Sequence, residues 1–358
     1  MTGLTARTGQ TAQTPRLEVE DLHVRFDTDE GTVLAVNGIS FAVQPGEVLS
    51  LVGESGCGKS MTAMAILGLL PPTATCTGSI RLEGQEISRM DTREMRRIRG
   101  RDISMIFQEP MTSLNPVFTV GFQIGEVLRR HEGLSRGQAR ARAVELLDLV
   151  RIPAAASRVD EYPHQMSGGM RQRVMIAMAV ACNPKVLLAD EPTTALDVTI
   201  QAQILDIMRD LRHELDTSIV IITHDLGVVA DIADRVVVMY AGHVAETGAS
   251  DDVFANPQHP YTLGLLGSVP RPDLVLADVR ERLAEIPGIV PTLRQPPTEC
   301  VFLPRCPRAD EPCRQRPNAG RRCARERRET RSGAGGPRSA EVLRGRAQPW
   351  RRARARRR

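Results

Sequence analysis

Val48-Leu-Ser-Leu-Val52-Gly53-Glu54-Ser55-Gly56-Cys57-Gly58-Lys59-Ser60-Met61 is the stretch on which the fold turns. A short apolar strand runs into a glycine-rich turn, and a helix starts near Lys59. Glycine lets successive backbone N–H groups curl around phosphate oxygens. The helix N-terminus adds partial positive charge. Lys59 reaches the outer phosphates, and the Ser60 hydroxyl is placed to bind Mg²⁺. G-x-x-x-x-G-K-S between a strand and a helix is the P-loop pattern in the context it requires. The reading also accounts for a rare residue. Of 47 basic residues only Lys59 and Lys185 are lysines, and a planar guanidinium is too broad to replace a compact ammonium inside such a loop. Gly53 through Met61 are therefore the predicted nucleotide-contacting run. Lys185 has no comparable context and reads as an ordinary surface lysine.

Downstream, Val186-Leu-Leu-Ala-Asp190-Glu191 is an apolar strand ending in two acids. Beside a P-loop, Asp190 is the expected Mg²⁺-holding carboxylate, and Glu191 is placed to orient or deprotonate an attacking water. Further strands are predicted at 17–26, 39–43, 103–108, 219–223 and 236–240. Their alternation with helices implies an α/β fold with a mainly parallel core sheet. Residues 122–182 read as an inserted helical subdomain. Ser135 and Gln138 form a capping-box pattern, and Ala143, Leu146, Leu147 and Val150 share one helical face.

The bulk numbers exclude several classes. The 358 residues carry a formal charge of +4, but 15 Arg and three acids lie in residues 321–358. The remaining 320 residues hold 32 basic and 40 acidic groups, so the body is acidic. Only 11 aromatics argue against a base-stacking surface, and no nucleic-acid partner is expected. No run reaches ~18 apolar residues, so no membrane-spanning helix is predicted. The sequence predicts a polar, disordered start (1–16), a nucleotide-binding domain (17–253), a proline-rich, cysteine-containing extension (254–323) and a disordered Arg-rich tail (324–358).

His164-Gln-Met-Ser167-Gly168-Gly169-Met-Arg171-Gln172-Arg173, followed by a helix, the acid-ended strand and Asp197, resembles the signature of ABC-type ATPases. The other motifs occur in that family's order over about residues 17–250. The resemblance implies an antiparallel β subdomain beside the core sheet and a head-to-tail dimer clasping ATP. Phe26 would stack on adenine. Gln108 would sense Mg²⁺, and His224 would hold the γ-phosphate and water. Ser167, Gly168, Gly169 and Gln172 would meet the nucleotide of the opposite subunit, and Asp197 would couple the two sites.

A finer resemblance rests on three stretches. They are Phe107 to Pro116 with Thr119 to Ile124, Asn256-Pro-Gln-His-Pro-Tyr-Thr262, and Cys300-Val-Phe-Leu-Pro-Arg-Cys306-Pro-Arg-Ala309. They are similar to ATPase subunits of dipeptide and oligopeptide importers, a family that includes nickel-complex importers. The Ser-Gly-Gly-Met form is similar to the first of the two unlike ATPase subunits these systems carry. The implied partners are a second homologous ATPase subunit, two transmembrane permease subunits and an extracytoplasmic substrate-binding protein. The implied location is the cytoplasmic face of the bacterial inner membrane. The family's cysteine extension holds a [4Fe–4S] cluster in some members, which makes Cys300, Cys306, Cys313 and Cys323 its expected ligands; partly buried thiols are the alternative. Cys57 inside the loop is expected to make the site sensitive to alkylation. A soluble ABC ATPase acting on DNA or ribosomes fits less well. Only 106 residues separate Ser60 from Ser167, and the chain holds one cassette.

Overall fold

The computed structural model describes residues 14–108, 113–194, 196–269 and 285–315. Most of the expected disordered start, Cys323 and the Arg-rich tail lie outside them. The strand leading into the glycine turn, β3 (Val48–Val52), is buried at every position. Strands buried on both faces read as unbroken apolar runs, and that is the pattern of β3, β7 (Val186–Asp190) and β8 (Ser218–Thr223).

These strands join β6 (Ile103–Ile106), β9 (Arg235–Tyr240) and β10 (His243–Ala249) in a sheet of order β10-β9-β3-β8-β7-β6. All neighbours pair in parallel except β9 and β10. The register matters for function. Val52 lies opposite Thr223, and Asp190 opposite Ile222. The carboxyl ends of β3, β7 and β8 therefore finish at one sheet edge, where ligands of open α/β sheets bind.

A second sheet, order β2-β1-β4-β5, is antiparallel throughout. It comprises β1 (Leu17–Thr28), β2 (Gly31–Val43), β4 (Ala74–Leu82) and β5 (Gln85–Glu86). Leu17, Leu22, Ile39 and Ile80 of this sheet share a core with Leu49, Leu51 and the helix α1 (Lys59–Ile66). A short helix, α2 (Thr92–Ile98), follows β5.

Between β6 and β7 the described residues hold helices and no strand. The helices are α3 (Val120–Glu132), α4 (Arg136–Leu149), α5 (Ala155–Arg158) and α6 (Gly168–Ala179). The Ser135–Gln138 capping box forms at the start of α4. Ala143, Leu146, Leu147 and Val150 are buried against Ile124 and Leu128 of α3 and Val174 of α6. After β7 come α7 (Val198–Leu215) and α8 (Leu226–Ile232), then α9 (Ser250–Ala255), α10 (Pro260–Gly267) and α11 (Glu311–Gln315). Among the described residues no helix is long and apolar enough to cross a membrane.

The extension after β10 builds a third core with Tyr240, Tyr261 and Phe302. The three rings lie 4.7 to 5.4 Å apart, and the edge-on contacts of Phe302 suit aromatic quadrupoles. The cysteines belong to this core. Cys300 and Cys313 are buried and Cys306 partly so. The Cys300 N–H donates to the Cys313 carbonyl at 2.9 Å, and the Cys313 thiol donates to Asp310 Oδ1 at 2.8 Å. Among the described residues no group of three or more His, Cys, Asp or Glu side chains is arranged to hold a metal ion. The expected iron–sulphur site is thus not supported. Cys300, Cys306 and Cys313 line the apolar core around Phe302.

His259 caps α10, and its Nδ1 accepts the Tyr261 N–H at 3.1 Å. Burial pushes the ring's pKa down to about 4, and the cap needs the Nδ1 lone pair. The unfolded ring titrates near 6.5, so below that pH the unfolded chain binds a proton that the native chain refuses. Stability from this group is complete above about 6.5 and falls by up to ~1.4 kcal/mol per pH unit on acidification toward 4. His259→Asn keeps a capping acceptor and should flatten that slope in urea titrations between pH 4.5 and 7.5. His243 and His131, also lowered by burial, keep part of the slope. A slope unchanged by the substitution removes His259 from the acid sensitivity.

Candidate active site

At the two ends of the loop, Gly53 and Gly58, neighbouring backbone leaves no room for a side chain. At Gly53 an added Cβ meets the Met239 carbonyl oxygen at 2.2 Å, and at Gly58 it meets that of Ala35 at 2.4 Å. Gly58, with φ +98°, precedes α1, whose first N–H groups receive no side-chain cap. Ser55 and Gly56 are exposed at the loop tip, and Met61 packs half-buried on the second core. Lys59 is only 5 % exposed. Its Nζ donates to the carbonyls of Gly53 (2.8 Å) and Glu54 (2.9 Å) and approaches Cys57 Sγ at 3.6 Å.

Cys57 itself is fully buried. Burial pushes its pKa up, partly offset by the charge and hydrogen bond of Lys59. The expectation of alkylation sensitivity is corrected: the group is a buried neutral thiol, while attack needs an exposed thiolate. Lys185 is the surface lysine expected, its side chain 40 % exposed and paired with Glu83 at 2.5 Å.

β7 delivers Asp190 and Glu191 to the same edge. Asp190 is 4 % exposed, and its Oδ1 has no hydrogen-bond partner among the described residues. Burial pushes its pKa up and the Glu191 charge adds to this; the Ser60 hydroxyl bond and Lys59 pull it back. An unsatisfied buried carboxylate oxygen beside a serine hydroxyl is a donor set suited to a hard divalent cation. Ser60 and Asp190 thus fit a Mg²⁺ ion.

Glu191 sits at φ 47°, an uncommon conformation for a residue with a side chain, and its N–H is held by the Ile222 carbonyl at 2.8 Å. Its carboxylate is held at both oxygens. His224 Nδ1 lies 3.0 Å from Oε1, while Gln108 Nε2 (3.0 Å) and Thr194 Oγ1 (2.9 Å) donate to Oε2. Burial raises its pKa, but the bonds from His224 and Thr194 and the charge of Lys59 outweigh it and hold the group below the usual range. Glu191 is therefore ionised at neutral pH. Thr194 was not singled out from the sequence; its signal is its position three residues after Glu191 in the same turn.

The remaining candidates lie apart from this cluster. Phe26 is half-buried on β1, opposite Val33 of β2 and Ala74 of β4. Ser167 is exposed and caps α6, accepting the Met170 N–H at 3.3 Å. Asp197 is exposed and caps α7, accepting the Ile200 N–H at 2.9 Å. Among the described residues no hydrogen bond joins Ser167, Gly168 or Gly169 to the glycine loop. Gln172 departs from expectation. It is 2 % exposed, and its Nε2 donates to the Pro192 carbonyl at 2.7 Å. It ties α6 to the turn after Glu191 within one chain and presents nothing outward.

Comparison with known proteins agrees with this geometry. Residues 36–194 match the ABC transporter family, and residues 245–313 match the oligopeptide/dipeptide transporter C-terminal region. The dipeptide transport ATP-binding protein DppD of Bacillus subtilis is 56 % identical over 293 residues, covering 81 % of this chain and 86 % of that one. The oligopeptide transport ATP-binding protein OppD of Salmonella typhimurium is 52 % identical over 301 residues, covering 84 % and 89 %. Among solved structures, the dimeric post-hydrolysis state of the ATP-binding cassette MJ0796 bound to ADP and Pi superposes with a TM-score of 0.59 at 28 % identity, covering 65 % of this chain and 98 % of that one. With a glycine cradle, a buried lysine and an ionised glutamate at one sheet edge, and relatives of this closeness over most of their length, the chain belongs to the ATP-binding subunits of the ABC transporter family.

Proposed function

We propose that this ABC ATPase powers import of dipeptides or oligopeptides, with Glu191 as the base for ATP hydrolysis. The observation that carries the chemical part is the Glu191 carboxylate, ionised and held by His224, Gln108 and Thr194 beside the unpartnered oxygen of Asp190. The loop from Gly53 to Ser60 cradles the phosphates through its N–H groups, and Lys59 exchanges two carbonyl partners for phosphate oxygens. Ser60, Asp190 and Gln108 would hold Mg²⁺, which when bound would neutralise phosphate charge. His224 holds the γ-phosphate and the water, and Glu191 takes the water's proton. Phe26 supports the adenine.

Ser167, Gly168 and Gly169 supply the exposed helix N-terminus that meets a nucleotide held by another subunit. Their separation from this chain's own loop supports that reading, as does the dimeric ADP-bound relative. Asp197 couples the two sites across the interface. The peptide substrate is inferred from the names of the relatives and from the matching C-terminal region. Such a system also includes a second homologous ATPase subunit, two permease subunits and an extracytoplasmic binding protein, with this chain on the cytoplasmic face of the bacterial inner membrane. The surface that would receive the permeases carries Val117, Phe118 and Phe122, which are 68 %, 42 % and 43 % exposed. The two phenylalanine rings stack at 4.6 Å in the open, and exposed apolar patches of this kind mark partner surfaces.

Four outcomes test this reading. Glu191→Gln should keep ATP affinity and slow hydrolysis by ~10²–10⁴-fold; a variant that turns over normally removes Glu191 from the chemistry. Ser167→Arg should leave monomeric ATP binding intact and abolish ATP-dependent dimers in sedimentation, and dimers that persist contradict the cross-subunit role. In vesicles containing the co-purifying membrane subunits, ATP should drive uptake from a panel of two- to five-residue peptides. Phe122→Asp should abolish that uptake while ATP binding stays within about twofold, since among the described residues Phe122 touches none of those assigned to the nucleotide. Uptake of nickel complexes in place of peptides overturns the substrate assignment.

A further inference from the structure

Two of the sequence stretches noted above, His259-Pro-Tyr261 and Leu303-Pro-Arg305, have no part in the chemistry just described. They lie more than forty residues apart in sequence, yet both reach Glu54, the second residue of the glycine loop. The Tyr261 hydroxyl, on a fully buried side chain, accepts the Glu54 N–H at 2.8 Å. The Arg305 guanidinium grips the Glu54 carboxylate with both ends, Nη1 to Oε2 at 2.8 Å and Nη2 to Oε1 at 3.2 Å.

Arg305 is itself locked. Its side chain is 7 % exposed. Nε donates to the Pro287 carbonyl at 2.7 Å, and Nη2 to those of Ile286 and Gly288 at 3.1 Å each. Nη1 also lies 3.5 Å from the Tyr240 hydroxyl, and the guanidinium carbon is 5.7 Å from that ring's centroid. The planar fork is thus satisfied on every side, a geometry lysine cannot reproduce. The same segment holds the opposite wall. Leu34 N donates to the Leu293 carbonyl at 2.8 Å, and Arg294 pairs with Glu30 at 3.1 Å. One residue beyond Leu34 is Ala35, whose carbonyl faces Gly58.

We propose that Arg305 and Tyr261 are positioning residues for ATP binding, and that the C-terminal extension is a structural wall of the nucleotide site. The reason lies in what Lys59 must do. In this structure Glu54 is held at its carbonyl by Lys59, at its N–H by Tyr261 and at its carboxylate by Arg305. When Lys59 turns to phosphate the first hold is released. The other two keep the loop in its phosphate-binding shape, so binding does not bear the cost of ordering it. A largely buried ion pair contributes little net stability, and its best-attested use is to fix geometry.

The inference rests on the nucleotide-site reading and is tested separately from it. ATP affinity of the full chain is measured well below each variant's melting temperature for wild type, Glu54→Ala, Arg305→Ala and the double variant. Each single change should weaken binding about tenfold, the loss of a charged hydrogen-bond pair, and the double variant should be no weaker than the poorer single. Arg305→Lys should recover only part of the loss. Affinity within twofold of wild type for Arg305→Ala, or single losses that multiply to about a hundredfold, overturns the clamp. A merely structural role lowers melting temperature and leaves affinity alone. Should Arg305→Ala fail to fold, Tyr261→Phe, which removes one oxygen, should weaken ATP binding several-fold; unchanged affinity there also overturns it. A wild type that binds no ATP defeats the nucleotide reading itself.

Discussion

An ammonium group held almost out of water, with carbonyl partners in place of a paired carboxylate, sets the terms for the catalytic edge of this protein. Burying a charge is expensive unless polar groups replace its hydration. For Lys59 those groups are the carbonyls of Gly53 and Glu54. The loop can aim them inward only because Gly53 passes against the Met239 carbonyl, where any side chain would collide. That contact in turn requires β9 beside β3, which the parallel register supplies. The buried ammonium also shapes its acidic neighbours. It draws down the pKa of Glu191 and tempers the rise at Asp190. Burial at Asp190 and the bonds of His224 and Thr194 to Glu191 then set the two adjacent carboxylates apart, the usual way for one site to hold a metal and a base together.

Legibility followed how local each signal is. The glycine loop, the acid-ended strand and the Ser135 cap are decided within a few residues, and each stands where the sequence put it. β3, β7 and β8 were equally plain, because strands covered on both faces announce themselves as unbroken apolar runs. The antiparallel sheet was poorly legible. β4, Ala-Thr-Cys-Thr-Gly-Ser-Ile-Arg-Leu, has six consecutive residues of exposed or intermediate burial before Ile80, so it shows no alternation to find. β10 carries Glu246 and Gly248 in its middle and is identified only by pairing with β9.

The harder cases share a cause. Gln172 belongs to a motif expected at an interface, yet its side chain turns inward to Pro192; a motif names residues and leaves direction to the tertiary structure. The family resemblance suggested four cysteine ligands, whereas Cys300, Cys306 and Cys313 line an apolar core and Cys323 lies outside the described residues. Thr194 bonds Glu191 directly from three residues away, in a turn that no motif marks, whereas Arg305 matters through a contact distant in sequence. No local pattern marks an arginine in a chain so rich in them as one that reaches 251 positions back to a carboxylate.

The inward turn of Gln172 has a mechanical consequence under the proposed mechanism. A subunit's signature segment faces a nucleotide it does not hold, while its Glu191 works on the one it does. Information must then pass between two ends of the same chain. The Gln172–Pro192 bond joins α6, opened by Ser167, to the turn one residue beyond Glu191. Side chains on α6 also pack in the core that includes Leu187 and Ala189 of β7. Packed elements move as units more readily than they deform. A shift of the carboxylate turn as phosphate leaves would therefore carry the signature helix with it, and the cross-subunit contact would loosen without any further moving part.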